Sequence, residues 1–147
     1  YMFAQCSGLT SVLEYDTSNV NDMDGMFKDC PRLKKIEGIS VKSMKTISST
    51  TLFGYNKNNS IRKAVFKDIG TNTGMTKFDT SYVENWGVNS DEIPDARQSL
   101  IDSLITYSFD RATASYPTCT ITLSANTKAL LTADEIAQIT AKGFTIA

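Results

Sequence analysis

The pattern Met2-Phe3-x-x-Cys6-x-x-Leu9-x-x-Val12 returns further along the chain as Met26-Phe27-x-x-Cys30-x-x-Leu33-x-x-Ile36, each apolar position refilled by a similar side chain. A unit of roughly 20–30 residues with apolar positions three apart is too short to close a core, so copies must stack to bury one. The repeat therefore predicts a solenoid. A drifting third copy follows: Met44, Ile47 and Leu52-Phe53 echo Val20, Met23 and Met26-Phe27 with two residues inserted before the Leu-Phe pair. Residues 61–69 and 75–78 read as two strands around a Gly70-Thr-Asn-Thr-Gly74 turn cluster. Successive rungs are expected there in preference to a hairpin, because the earlier copies demand parallel coils.

The second half alternates helix and strand. Pro94 opens a helix whose apolar stripe runs Ala96, Leu100, Ile101, Leu104, expected to cover one side of the sheet. Cys119-Thr-Ile121-Thr-Leu123 alternates as a strand, Thr132 with Glu135 forms a capping box, and Gly143 ends the last helix before a strand at Phe144–Ile146. Strand, helix, strand implies parallel pairing with a right-handed crossover. The fold class is thus α/β: a leucine-rich-repeat-like right-handed solenoid with a mostly parallel sheet and irregular rungs, coils over residues 1–85, and helix-strand units over 86–147 that close the same solenoid as a cap.

The string Asp16-Thr17-Ser18-Asn19-Val20-x-Asp22-Met23-x-x-Met26-Phe27-x-x-Cys30-x-x-Leu33 resembles the repeat of BspA-like leucine-rich-repeat bacterial surface proteins, also found in Mycoplasma-type lipoproteins. The segment from Leu130 through Gly143-Phe144-Thr145-Ile146 is similar to the closing segment of such solenoids. The first copy is about two residues short in its strand and turn, and the third lacks its Cys. What the resemblance implies is a non-catalytic binding or adhesion module, placed at the cell surface or secreted, in contact with host or cell-surface proteins or glycans. The alternative is a structural or assembly element of a surface or phage-tail-like appendage. The chain starts inside a repeat without a leader-like segment, and is expected to be the C-terminal part of a longer protein with its targeting information upstream.

Chemistry is sparse. The chain has no histidine, which removes the usual Ser-His-Asp and Cys-His arrangements and the ordinary near-neutral base. No cofactor or metal is expected, and the reading is not an enzyme; a glycan-cleaving carboxylate pair such as Asp79 and Glu84 is the weakest alternative. Asp16 to Gly25 superficially suggests a calcium loop, but aligning Gly25 with the sixth position puts Val20 where the first ligand must stand. Its Asp, Asn, Ser and Thr side chains are expected to satisfy turn backbone instead. Cys6 and Cys30 share a repeat position and read as free core thiols, with a bridge as the alternative; Cys119 is unmatched. Asn58-Asn59-Ser60 fits the glycosylation acceptor pattern, a common chance match.

Charge is the surface feature with a direction. Residues 28–77 hold eleven Lys or Arg against three acids, residues 1–27 four acids and no base, and residues 78–147 four bases against nine acids. Lys34, Lys35, Arg62, Lys63, Lys67 and Lys77 would form a basic ladder on the strand face, attractive to an acidic glycan or another anionic polymer, if neighbouring coils carry them side by side. The bland reading is that they keep an exposed sheet soluble. No regular aromatic interleaving favours base stacking, so no specific nucleic acid is expected, and no stretch is long and apolar enough to span a membrane. Trp86 reads as buried and structural; Tyr15, Tyr55, Tyr82, Tyr107 and Tyr116 read mostly as core or edge packing, with contact residues as the alternative.

Overall fold

The repeat period reappears as strand register. In the computed structural model, which describes residues 1–54 and 58–147, β1 (Ser11–Val12) lies parallel to β2 (Lys35–Ser40) with Ser11 opposite Lys35 and Val12 opposite Ile36, so that each residue lies beside its counterpart in the next copy. β2 in turn pairs in parallel with β4 (Lys63–Lys67), Lys35 facing Lys63 and Ile36 facing Ala64, with an irregularity between Ile36 and Ile39 that resets the register to Ser40 opposite Lys67.

A second sheet runs beside the first. β3 (Thr46–Ile47), β5 (Lys77–Asp79), β6 (Cys119–Thr122) and β7 (Phe144–Ile146) pair in that order, all parallel. The molecule is α/β with two small parallel sheets, and each pass of the chain through residues 35–47 and 63–79 contributes one strand to each. This corrects one expectation: the strands at 63–67 and 77–79 are neither a hairpin nor rungs of one sheet, but members of different sheets, each aligned on an earlier strand.

The core lies between the sheets. In β4, Ala64 and Phe66 join the core, while on the other side Val65 is buried and Lys63 and Lys67 are half-buried. Phe27 stacks on Phe3 with centroids 5.7 Å apart and rings within 1° of parallel, and Phe53, in α1 (Ser49–Phe53), stacks on Phe27 at 6.0 Å. Backbone bonds follow the same ladder: Phe3 N–H donates to Met26 O, and Phe27 N–H to Leu52 O. Each copy thus repeats what the previous one does, and the Leu52-Phe53 echo takes the place that its insertion predicts. Burial of Phe27, Leu33, Ile36 and Phe53 contributes about 1.5–3 kcal/mol each before the entropy of ordering them is charged.

At the corners, polar side chains bridge successive passes. Ser43 Oγ donates to Ser18 O at 2.6 Å and Asn72 Nδ2 to Ser43 O at 3.2 Å. Asn85 Nδ2 donates to Asn59 O, and Asn126 Nδ2 to Asn85 Oδ1.

The helical half closes what the strands leave open. α2 (Ala96–Ile101) continues as a π turn through Asp102–Thr106, and both pack on β4. The expectation was a helix over a sheet face; the helix in fact also lies along the free edge of β4. Ser99 Oγ accepts from Ala64 N–H at 3.3 Å, Ser103 Oγ accepts from Phe66 N–H at 2.9 Å, and Trp86 Nε1–H donates to Ala64 O at 3.0 Å. An unpaired parallel edge templates further pairing unless its groups are satisfied, and here buried hydroxyls stand in for the missing strand. After a short α3 (Ala125–Lys128), α4 (Ala133–Ala141) starts on the expected capping box, with Thr132 Oγ1 accepting from Glu135 N–H and Glu135 returning a carboxylate oxygen to Thr132 N–H. Gly143 ends it at φ +93°, where a Cβ would stand 2.9 Å from Ala112 N, so glycine is required twice over. No helix is long and apolar enough to cross a membrane among the described residues.

Candidate binding face

The strands β1, β2 and β4 turn one set of side chains to the core and the alternate set outward, and the outward set carries the charge. Lys35 and Lys63 are register partners, so their Cα atoms are neighbours about 5 Å apart across the sheet. Lys67 lies at the far end of β4. Lys34 and Arg62 stand just before their strands; Lys34 O accepts from both Arg62 N–H and Lys63 N–H, which holds the two segments together. Lys77 is on β5, in the other sheet. Five of the six basic residues are therefore gathered, and Lys77 is apart.

Acids from other segments meet them. Lys34 pairs with Glu92 at 2.6 Å, Lys63 bridges Glu37 at 2.7 Å and Asp95 at 2.9 Å, Lys67 pairs with Glu14, and Lys77 pairs with Asp79 at 3.2 Å. Arg62 donates to Val88 O at 3.1 Å, while Lys35 adds attraction to Glu92 and Asp95. The Glu37 hydrogen bond pushes the Lys63 pKa up, and the Glu14 hydrogen bond does the same for Lys67. The Lys34 and Lys63 ammonium groups hold Glu92 and Asp95 below the usual carboxylate range. Ion pairs at a solvated surface add little to stability, so their main effect is on the field. The surface is a mosaic of both signs, and an anionic polymer must compete with carboxylates already in place.

Aromatic and aliphatic groups border the mosaic. Tyr107, 43% exposed, lies under Lys67 Nζ with 5.6 Å to its centroid, whereas Tyr15, 44% exposed, turns its ring to Phe3 with centroids 6.0 Å apart. Leu13 also faces solvent. Trp86 is buried, as its place at the junction suggests, and Tyr116 stacks on Phe109 at 5.3 Å. Tyr55 lies outside the described residues.

The acidic stretch behaves as turn chemistry. Asp16 Oδ1 accepts from Ser18 N–H and Oγ–H, which lowers its pKa, and Asp22 Oδ1 accepts from Asp24 N–H. Among the described residues no group of three or more His, Cys, Asp or Glu side chains is arranged to hold a metal. Asn58 Oδ1 is used the same way, accepting from Ser60 N–H and Ile61 N–H. Asp79 sits partly buried, which raises its pKa, but Ser81 and Lys77 outweigh that and hold it low. A carboxyl serving as a general acid needs the opposite shift.

The three cysteines are free thiols. Cys30 is buried and donates to Phe3 O at 2.9 Å, its pKa raised by burial, and Cys119 is buried with the same shift. Cys6 departs from the expected core position: it is exposed.

The feature that sequence reasoning missed is Arg111, 0% exposed. Its guanidinium donates to the carbonyl oxygens of Gly70, Asn72, Thr73 and Pro117 at 2.6–3.3 Å and lies 5.5 Å from the Tyr116 centroid. Its role is to knit two turns that lack regular structure, and a lone Arg between Asp110 and Ala112 carries no sequence signal for that. Compared with family models, curated proteins and solved structures, the chain matches none.

Proposed function

We propose that the chain is a stretch of a leucine-rich-repeat-like, right-handed solenoid that serves as a non-catalytic binding or adhesion module, presenting the outward face of β1, β2 and β4 to a protein partner. The parallel register at an offset of one repeat supports the solenoid. The observation that carries the binding reading is the face itself: Glu14, Lys35, Glu37, Lys63 and Lys67 stand in fixed register, with half-exposed Tyr107 beneath Lys67. Mixed charge with bordering aromatics suits a protein surface of complementary pattern, since such complementarity sets register and association rate while aromatics supply anchoring. An acidic glycan is the less favoured partner because Lys34, Lys63 and Lys67 are already paired. The resemblance of residues 16–33 to BspA-like repeats supports placement at a bacterial surface or in secretion. The second reading is a structural or assembly element of a surface or phage-tail-like appendage.

The test is a binding screen of the chain against host matrix proteins and heparin at low and high salt, with Lys63→Glu/Lys67→Glu as the variant. Expected is a protein hit that weakens with salt and loses at least about tenfold affinity in the folded variant. Binding untouched by the double variant, or no protein hit, overturns the assignment to this face.

A further inference from the structure

One ion pair on the outward face spans three strands. Lys63 meets Glu37 on the neighbouring strand and Asp95 ahead of α2, and Lys34 meets Glu92. Glu14, just past β1, instead passes over β2 to reach Lys67 at the end of β4. It crosses at Gly38. Tyr15 N–H donates to Gly38 O, which sets Glu14 beside Gly38, and a Cβ at Gly38 would stand 3.1 Å from Glu14 Cγ, 3.3 Å from Cδ and 3.6 Å from Cβ. The stem of Glu14 therefore lies against the space that a side chain at position 38 would fill. At the far end Lys67 is held from below. Its Nζ lies over the Tyr107 ring, and Tyr107 is fixed where the π turn ends, its N–H donating to Asp102 O at 2.8 Å and its carbonyl accepting from Asp68 N–H at 3.2 Å.

We propose that the gap over Gly38 is a carboxylate slot, filled by Glu14 in the free chain, into which a protein partner of this face delivers a glutamate side chain, onto Lys67 above Tyr107. This rests on the binding-face reading and names the chemistry by which that face selects its partner. The receiving groups are fixed: Gly38 sits within β2, and the Lys67 side chain is 33% exposed over a ring. The occupant is not, because the Glu14 side chain is 59% exposed and an ion pair at a solvated surface gains little once the entropy of holding two long side chains is counted. Exchange for an equivalent carboxylate therefore costs little. Charge favours it too: with Glu14 aside, the five gathered bases stand against Glu37, Asp68, Glu92 and Asp95, so the incoming carboxylate meets a positive balance. The slot has the width of one unbranched stem, which suits a glutamate better than the ring-borne acid of a glycan.

The experiment titrates the whole chain with an oligoglutamate peptide, and separately with a heparin fragment of equal charge, following the Tyr107 ring and Lys67 side-chain resonances by nuclear magnetic resonance. Expected are shifts at both residues with the peptide, and about two- to fivefold tighter peptide binding in Glu14→Ala, which empties the slot. Adding Gly38→Val to Glu14→Ala refills the slot and should reverse the gain, and Lys67→Met should abolish the Tyr107 shift. Glu14→Ala and Lys67→Met alter only surface side chains, so they decide the matter even where the valine variant does not fold. Absence of shifts at Lys67 and Tyr107, or peptide binding that is unchanged or weaker in Glu14→Ala, overturns the proposal. So does a heparin fragment that binds Glu14→Ala as tightly as the peptide, which would make the face a reader of charge alone. A protein hit in the salt-dependent screen that falls with Lys63→Glu/Lys67→Glu yet ignores Glu14→Ala removes the slot and leaves the binding face standing.

Discussion

Arg111 offers the sharpest single-residue test of how the irregular turns are held. Five of its hydrogen bonds end on four main-chain carbonyls, of Gly70, Asn72, Thr73 and Pro117, and no carboxylate pairs with it among the described residues. Arg111→Met keeps much of the side-chain volume but strips the carbonyls of Gly70, Thr73 and Pro117 of this donor, while Asn72 O keeps Met75 N–H. Each buried acceptor left without a partner costs about 1–3 kcal/mol, and relief from desolvating the guanidinium returns several kcal/mol, so the net loss works out at about 3–5 kcal/mol. Arg111→Lys retains the charge but cannot reach from Gly70 to Pro117, and should lose about 2 kcal/mol. In urea unfolding followed by circular dichroism, with a slope of about 2 kcal/mol/M, the methionine variant should lower the midpoint by roughly 2 M. Amide exchange should localise the loosening to residues 70–73 and 117. A loss below about 1 kcal/mol for Arg111→Met, or a lysine variant as stable as the parent, would show that this node does not hold the turns.

Three further outcomes follow from individual contacts. Thr132→Ala removes the side-chain half of the α4 capping box and should cost about 1 kcal/mol in urea, with Thr132→Ser near neutral. Trp86→Phe loses the donor to Ala64 O and part of the edge-on contact with Phe66 at 5.4 Å, and should cost about 1.5–3 kcal/mol by chemical unfolding; in the parent chain this single tryptophan should emit to the blue of the denatured chain. Asp16, Glu92 and Asp95 have folded pKa values lowered by their partners, so the stability they add is complete above their unfolded values of about 4 and is lost as pH falls through the folded ones. Thermal scans from about pH 6 downward should show Tm declining below about pH 5, with a shallower slope in Asp95→Asn and in high salt.

The stacking was legible because two copies share every apolar position, and a fixed spacing between them could mean little other than one residue lying beside its equivalent. The division into two sheets was not. Thr46–Ile47 is a very short strand, too short to announce itself by alternation, and without it nothing separates the strand at 63–67 from that at 77–79. The edge role of α2 was hidden in Ser99 and Ser103, which occupy its buried side and look like interruptions of an apolar stripe until the free N–H groups of Ala64 and Phe66 are seen beside them. The basic residues were gathered largely as their positions implied, but their neutralisation depends on Glu14, Glu92 and Asp95, brought in from distant segments of the chain. Cys6 reads as a core thiol only through its repeat equivalent Cys30, and that equivalence does not extend to burial.

The account stands on parallel passes aligned repeat on repeat, and nuclear Overhauser spectra of the isotope-labelled chain test it most directly. Predicted are contacts between Val12 and Ile36, Ile36 and Ala64, Phe78 and Ile121, and the rings of Phe3 and Phe27, with amide-centred cross-strand patterns of parallel pairing. Strong Hα–Hα cross-peaks between facing residues of these strands, the mark of antiparallel pairing, or Phe3 without contact to Phe27, would contradict it.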